Sequence, residues 1–300
     1  MITINQALNL AAQNFKRAKI KTAFLDSEVL LAFILNQPKE FLYTYPQKKL
    51  TKSQFHKLQA IIKKRTKGEP VAYLKNQKEF YGLNFYVDKR VLIPRPETEL
   101  LVEEAAKLLK AISYQPAGRQ AGLKAISIAD IGTGSGCAII ALVKTWSEIR
   151  DKKSEISCYG TDISKSALQV AKKNARKHQV KIKFCQGSLL EPLKNKKIDV
   201  ILANLPYGWP QWLAKSSAET AGLKFEPKKS LFAKEGGLYL YRRLFGQIAE
   251  MKLKPKLILI EFDPRQKKAL AKLAKKYLPA GQLEIKKDLA GLNRILIIKQ

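Results

Sequence analysis

Ile128-Ala129-Asp130-Ile131-Gly132-Thr133-Gly134-Ser135-Gly136 is a short apolar strand, then a glycine loop, leading into a second apolar stretch from Cys137 to Val143. Glycines at this spacing permit a tight turn and let backbone N–H groups come close to a ligand. A Gly-x-Gly-x-Gly alone suits a nucleotide site or a purely structural turn. Here Asp130 precedes the first glycine, and a second acid, Asp162, ends the next apolar segment, Ile156 to Thr161. An acid about thirty residues beyond such a loop is where a doubly wound sheet holds a ribose diol. Asp162 is equally suited to stand at the N-terminus of a helix beginning near Ser164.

Outward from this loop, strand and helix patterns alternate to the end of the chain. Strands are predicted at 126–131, 156–161, 181–185, 198–203, 257–262, 282–287 and 294–299, with helices near 137–147, 164–178, 236–251 and 264–277. That is a mostly parallel, doubly wound α/β sheet. Only Asp288 to Asn293 separates the last two strands, so they form a hairpin and the final strand runs antiparallel.

Upstream the pattern changes. Residues 3 to 66 read as helices throughout: Ile4, Leu8, Ala11, Ala12 and Phe15 fall at helical spacing, and Asp26 to Leu35 carries Val29, Leu30, Phe33 and Ile34 on one face. Thr51 is an N-cap candidate for a helix with Phe55, Leu58, Ile61 and Ile62 inward. Gly68-Glu69-Pro70 breaks the helical run, and from Tyr73 to Leu92 the period shortens around Gly82-Leu83-Asn84, as in a β-hairpin. Ile93-Pro94-Arg95-Pro96 is extended and rigid, a helix follows from Glu97 to Ile112, and Tyr114 to Lys124 reads as a surface loop.

A second chemical motif, Asn204-Leu205-Pro206-Tyr207, follows the apolar run 198–202. At the carboxyl end of a strand it can grip a flat NH2 group. The Asn204 carboxamide oxygen and a main-chain carbonyl each accept one hydrogen while the Tyr207 ring packs on the plane. Leu205 precedes proline, so its backbone is extended and its carbonyl direction is largely set. Both motifs fall at carboxyl ends of neighbouring strands, where such sheets bind ligands.

Composition sets the outer limits. The 300 residues, 46% hydrophobic, suffice for one large domain or two smaller ones. No apolar run approaches the roughly 18 residues needed to span a bilayer, so no membrane partner is expected. Lys16, Arg17 and Lys19 without an acid resemble a transit peptide, but the helical spacing favours a folded amphipathic helix. Cys137, Cys158 and Cys185 are scattered, and His56 and His178 are far apart. This argues against disulfides and a metal site, and suits a reducing cytoplasm. The net charge of +31 invites nucleic acid as a partner, yet the lysines are spread along the whole chain, with no Arg-rich arm. Nucleic-acid contact is compatible with that charge and not required by it.

Taken together, these segments resemble the release factor glutamine methyltransferases. Those enzymes use S-adenosyl-L-methionine to N5-methylate the glutamine of the Gly-Gly-Gln motif in peptide chain release factors. The resemblance runs through Gly68 to Leu74, Glu79 to Leu83, Ile93-Pro94-Arg95-Pro96-Glu97-Thr98-Glu99, the Asp130 loop, Asn204 to Tyr207 and Phe225-Glu226-Pro227. It implies a seven-stranded class I methyltransferase fold. Residues 1–75 would form a helical domain that docks the substrate, 76–93 a connecting hairpin and 94–300 the methyltransferase domain. It implies a cytoplasmic monomer acting on a release factor. Asp130, Ile131, Gly132, Thr133, Gly134, Asp162, Ser188, Leu189 and Asn204 would hold the cofactor. Asn204, Leu205, Pro206 and Tyr207 would carry catalysis and, with Arg95 and Glu97, bind substrate; no metal is implied.

Three departures from the family pattern stand out. Leu205 replaces the first proline of Asn-Pro-Pro-Tyr, a position whose role is a main-chain carbonyl that leucine also provides. Ser188 stands where relatives carry an acid near the adenine, and Glu261-Phe262-Asp263-Pro264 replaces a glycine-containing turn. Two rival readings remain: an adenine-N6 methyltransferase of RNA or DNA, whose motif Asn-Leu-Pro-Tyr resembles, and a non-catalytic binding module on the same scaffold.

Overall fold

A computed structural model of the chain describes residues 1–113, 125–149, 155–209 and 218–300. The loop predicted at Tyr114 to Lys124 lies outside the described residues. The chain divides into two units, one of residues 1–77 with 213–226 and one of 78–212 with 227–300.

The first unit contains α1 (Ile4–Arg17), α2 (Ala23–Leu35), α3 (Glu40–Thr44), α4 (Lys52–Arg65) and α5 (Val71–Lys75). Thr3 and Thr51 start α1 and α4 with reciprocal capping boxes: each hydroxyl accepts from the main-chain N–H of a glutamine three residues on, whose side chain accepts in return. The face predicted for α2 is corrected. Leu31 is fully buried, whereas Phe33 is 37% exposed. The helix is apolar almost all round, so periodicity cannot choose its inner side and packing against α1, α4 and α5 does. Asp26, turned inward on α2, is neutralised by Arg65 at 2.8 Å.

The region from Tyr73 onward is also corrected. Pro70 is extended and launches α5, and Asn76, with φ 52°, ends it, so Tyr73 is helical and the hairpin is shorter than expected. In the second unit β1 (Lys78–Phe80) and β2 (Leu83–Phe85) pair antiparallel. Their turn, Tyr81-Gly82, has φ of 52° and 69°, the left-handed pair that matches strand twist.

The second unit is then built on a seven-stranded sheet in the order β5-β4-β3-β6-β7-β9-β8. Its strands are β3 (Ala125–Ile131), β4 (Glu155–Asp162), β5 (Lys183–Gln186), β6 (Val200–Ala203), β7 (Leu257–Glu261), β8 (Gln282–Lys287) and β9 (Asn293–Lys299). β3 to β7 are parallel, and β9 is antiparallel to both neighbours, as predicted. The helices are α6 (Glu97–Ser113), α7 (Cys137–Ile149), α8 (Lys165–Lys177), the single turn α9 (Lys228–Leu231), α10 (Tyr239–Glu250) and α11 (Lys267–Tyr277).

Alternate residues of each central strand serve opposite faces. Ile128, Val200, Leu202, Leu257, Leu259, Ile295 and Ile297 pack with α6 and α7, including Leu101, Leu109, Ile139 and Trp146. Ala129, Ile131, Ile201, Ala203, Ile258, Ile260, Leu296 and Ile298 pack with α10 and α11, including Tyr241, Phe245 and Leu270. Covering both faces explains the near-continuous apolar runs of these strands. The order reverses between β3 and β6, which opens a crevice at their carboxyl ends.

Candidate active site

Five parallel strands deliver polar residues to one sheet edge. β3 leads into Asp130 to Gly134, β4 ends at Asp162, β5 leads to Ser188 and Leu189, β6 leads into Asn204 to Tyr207, and β7 ends at Glu261. Parallel pairing aligns these ends: Ile131 lies opposite both Thr161 and Ala203.

The glycine loop is held by its own neighbours. Gly132 and Thr133 both donate main-chain N–H groups to the Thr161 carbonyl at 2.9 Å. Gly132, Gly134 and Gly136 all have left-handed φ (73°, 54° and 80°). A Cβ on Gly134 would meet the Gly132 carbonyl oxygen in ordinary contact at 3.9 Å, whereas one on Gly132 would press on Leu205 Cδ2 at 3.0 Å. Asp130 is buried and accepts from the Thr133 hydroxyl at 2.6 Å, so its carboxyl braces the loop. Burial pushes that carboxyl up to about 6. Asp162 accepts from Gly134 N at 3.0 Å through one oxygen and from Ser164 N at 2.8 Å through the other. Burial raises its pKa and these two amides lower it. The helix-terminal role read from sequence is therefore present, and two amides do not exhaust a carboxylate's acceptor sites. Next to it Ile163 is 64% exposed, a large apolar surface beside the acid that sequence reasoning passed over. Leu189 is buried with φ 54°, and the Ser188 carbonyl accepts from Glu191 N.

At the end of β6 the Asn204 amide nitrogen donates to Thr98 Oγ1 at 2.9 Å, and no described residue donates to its Oδ1. Leu205 is buried in the core under the glycine loop, so its side chain contributes packing in addition to the carbonyl expected of it. Its carbonyl lies 3.2 Å from the Tyr241 hydroxyl, whose single proton is closer to the Glu261 carbonyl at 2.6 Å. The Tyr207 hydroxyl donates to Glu261 Oε1 at 3.1 Å, and its carbonyl accepts from Gln266 Nε2 at 3.1 Å. Glu97 is exposed at the start of α6 and acts on both Tyr207 and Glu261 through its charge. Arg95 is half-buried in the turn that precedes α6, its carbonyl accepting from Thr98 N.

Thr98, Tyr241, Glu261 and Gln266 were not among the site residues expected from the sequence, although Thr98 lay in a family segment and Glu261 in a departure from the family pattern. Glu261 did carry a signal: like Asp130 and Asp162, it is an acid at the end of an apolar strand. Thr98 carried only its place in the Ile93 to Glu99 segment, because its hydrogen-bond partner Asn204 is distant in sequence. Among the described residues no three His, Cys, Asp or Glu side chains gather as a metal site, and no helix is long and apolar enough to cross a membrane.

Comparison with known proteins agrees with this geometry. Residues 6–75 match the PrmC N-terminal domain, and residues 123–284 match a methyltransferase domain. The chain is 32% identical to a release factor glutamine methyltransferase of Coxiella burnetii, over the full length of both. It is also 32% identical to one of Dictyoglomus turgidum, covering 94% of this chain and 93% of that protein. Among solved structures, the catalytic domain of hMettl16 in complex with MAT2A 3'UTR hairpin 1 superposes with a TM-score of 0.54 at 15% identity, over 90% of each chain. At that identity the likeness is one of fold.

Proposed function

The chain belongs to the release factor glutamine methyltransferase family, and from that membership we propose that it methylates N5 of the glutamine in the Gly-Gly-Gln motif of peptide chain release factors. The observation that carries this reading is the anchored Asn204 carboxamide. Thr98 takes its N–H, and Oδ1, to which no described residue donates, is left as an acceptor at the sheet edge beside Tyr207. A substrate amide NH2 has two hydrogens to give and needs acceptors of this kind.

The residues present fit S-adenosylmethionine. The left-handed glycines form a tight loop in which no side chain crowds Gly134, the anchored Asp162 carboxylate has lone pairs left for a ribose diol, and Ile163 offers apolar surface to an adenine face. When bound, the cofactor supplies a sulfonium methyl group, whose carbon–sulfur bond breaks as a carbon–nitrogen bond to the amide forms and one amide proton leaves to solvent. An amide nitrogen is a poor nucleophile, because its lone pair is delocalised into the carbonyl. Asn204 Oδ1 and the Leu205 carbonyl hold its N–H groups, and Tyr207 covers the amide plane. Orientation of this kind supplies roughly 7–11 kcal/mol in favourable cases.

Residues 1–75, a helical domain joined through the hairpin to the methyltransferase domain, dock the release factor, because one glutamine offers too little surface for specificity. The match to the PrmC N-terminal domain supports a protein substrate over adenine. The test is transfer of labelled methyl groups to release factor and to ribosomal RNA offered separately, with Asn204→Ala as control. Asn204→Ala is expected to abolish transfer to release factor while leaving cofactor affinity within about twofold, since Asn204 acts on the acceptor. Near-normal turnover in that variant, or transfer to RNA alone, overturns the reading.

A further inference from the structure

The two orientations of an asparagine carboxamide have nearly the same shape, but only one turns an oxygen toward a substrate NH2. For Asn204 the choice is made by Thr98, which accepts from Nδ2 at 2.9 Å. A hydroxyl that accepts there must place its own proton elsewhere. Beside it stands Glu261, fully buried at the end of β7, with Thr98 and Tyr207 as the polar side chains nearest its carboxyl. Tyr207 serves Oε1, and Oε2 has no hydrogen-bond partner among the described residues. A buried carboxylate oxygen in want of a donor therefore faces a hydroxyl with a proton to give. With that proton given to Glu261, the bonds would run one way, from Asn204 to Thr98 to Glu261.

We propose that Glu261 is a positioning residue for methyl transfer: its carboxylate orients the Thr98 hydroxyl, which holds Asn204 with Oδ1 toward the substrate amide. The inference rests on the acceptor role given to Asn204 above. Protonation of Glu261 reverses the relay. Its O–H donates to Thr98, the Thr98 proton turns to Asn204, and the carboxamide rotates to receive it on Oδ1. The site then presents an NH2 to an NH2, which is a donor against a donor.

The groups around Glu261 leave it as the one that changes charge. Glu97 and Thr98 face it from α6, Tyr207 from the end of β6, Tyr241 from α10, Cys137 from the start of α7 and Arg294 from β9. Burial holds both tyrosines well above their ordinary value and pushes the Cys137 thiol up to about 12, so all three stay neutral. Burial likewise lifts Glu261 to about 7, against the pull of its hydrogen bonds and Arg294. The relay is thus set to reverse as pH falls through neutrality. Asp130, also raised, braces the cofactor loop, and its titration reads out in cofactor affinity.

The experiment is kcat/KM for release factor from about pH 5.5 to 8.5, with cofactor affinity measured alongside at each pH. The wild-type protein should begin to lose activity below about pH 7, while cofactor affinity holds until Asp130 titrates near about pH 6, and this acid limb should vanish in Glu261→Gln, whose side chain does not titrate in that range. Thr98→Val, which keeps Glu261, should also lose the limb and hold kcat/KM at every pH about tenfold below the wild-type plateau, while Thr98→Ser restores both. The Thr98 pair decides the matter if Glu261→Gln fails to fold. An acid limb unmoved in these variants overturns the relay, as does Thr98→Ser behaving like Thr98→Val. Absence of methyl transfer to release factor at any pH would instead overturn the functional reading itself.

Discussion

Asp162 shows how one side chain can brace a loop and keep acceptor sites for a ligand. Its two oxygens accept from Gly134 N and Ser164 N, tying the glycine loop to the start of α8. A carboxylate so fixed meets a diol without losing rotamer freedom on binding. Asp162→Ala is therefore expected to weaken S-adenosylmethionine binding by about 1.5–3 kcal/mol, read by calorimetry. An unchanged dissociation constant would leave Asp162 as a brace for the loop only. Asp162 stood out in the sequence as an acid ending the strand after the glycine loop, and the helix-terminal role read there is present in its bond from Ser164 N. Glu261 has the same local pattern but sits under the site, and its meaning depends on Thr98 and Tyr207, which are distant in sequence.

Among the elements, the turn before α10 fixes the main chain at the end of the Asn204 to Tyr207 motif. Gln266, buried at the head of α11, donates to the carbonyls of Tyr207 at 3.1 Å and Gly236 at 2.7 Å. Gly237 has φ 86°, and a Cβ there would run into the Tyr207 carbonyl and the Gln266 side chain. The helix predicted from residue 236 begins instead at Tyr239, because Gly236 and Gly237 take left-handed conformations that close the turn against Tyr207. Gly237→Ala should cost the roughly 1–2 kcal/mol of a left-handed residue plus the displacement of Tyr207. A fall in melting temperature with a drop in kcat of at least about tenfold is expected, with cofactor affinity largely retained. Normal kcat in the folded variant would show that the Tyr207 main chain need not sit where Gly237 allows it.

At the scale of the molecule, exposed apolar side chains concentrate in the helical unit. Phe24 and Leu25 are 51% and 48% exposed, and Phe33, Tyr43 and Tyr45 are exposed as well. Aromatic surface of this kind anchors protein interfaces. If the helical unit docks the release factor, Phe24→Ser with Leu25→Ser should lower kcat/KM for intact release factor by about tenfold or more. Methylation of a short Gly-Gly-Gln peptide should be unaffected, and exposed positions of this kind cost within about 0.5 kcal/mol of stability each. Equal losses on peptide and protein would place the defect outside docking. The charge of +31 argues less: with its lysines spread over the whole chain, it provides long-range attraction to acidic partners without marking a face.

The sequence by itself determined the class of fold, its strand and helix order, the antiparallel end of the sheet and both chemical motifs. These are written in short-range signals: periodicity, glycine spacing, and a proline that constrains its neighbour. What it left open was the inner face of α2, the helical turn at Tyr73 and the layer beneath Asn204. The face of α2 depends on which helices surround an almost wholly apolar segment, and no local period records that. The layer beneath Asn204 joins Thr98 of α6, Asn204 beyond β6 and Glu261 of β7. Only the stacking of neighbouring strands and a covering helix brings those groups together, because a hydrogen-bond relay is a property of distance in space and leaves no spacing in the chain.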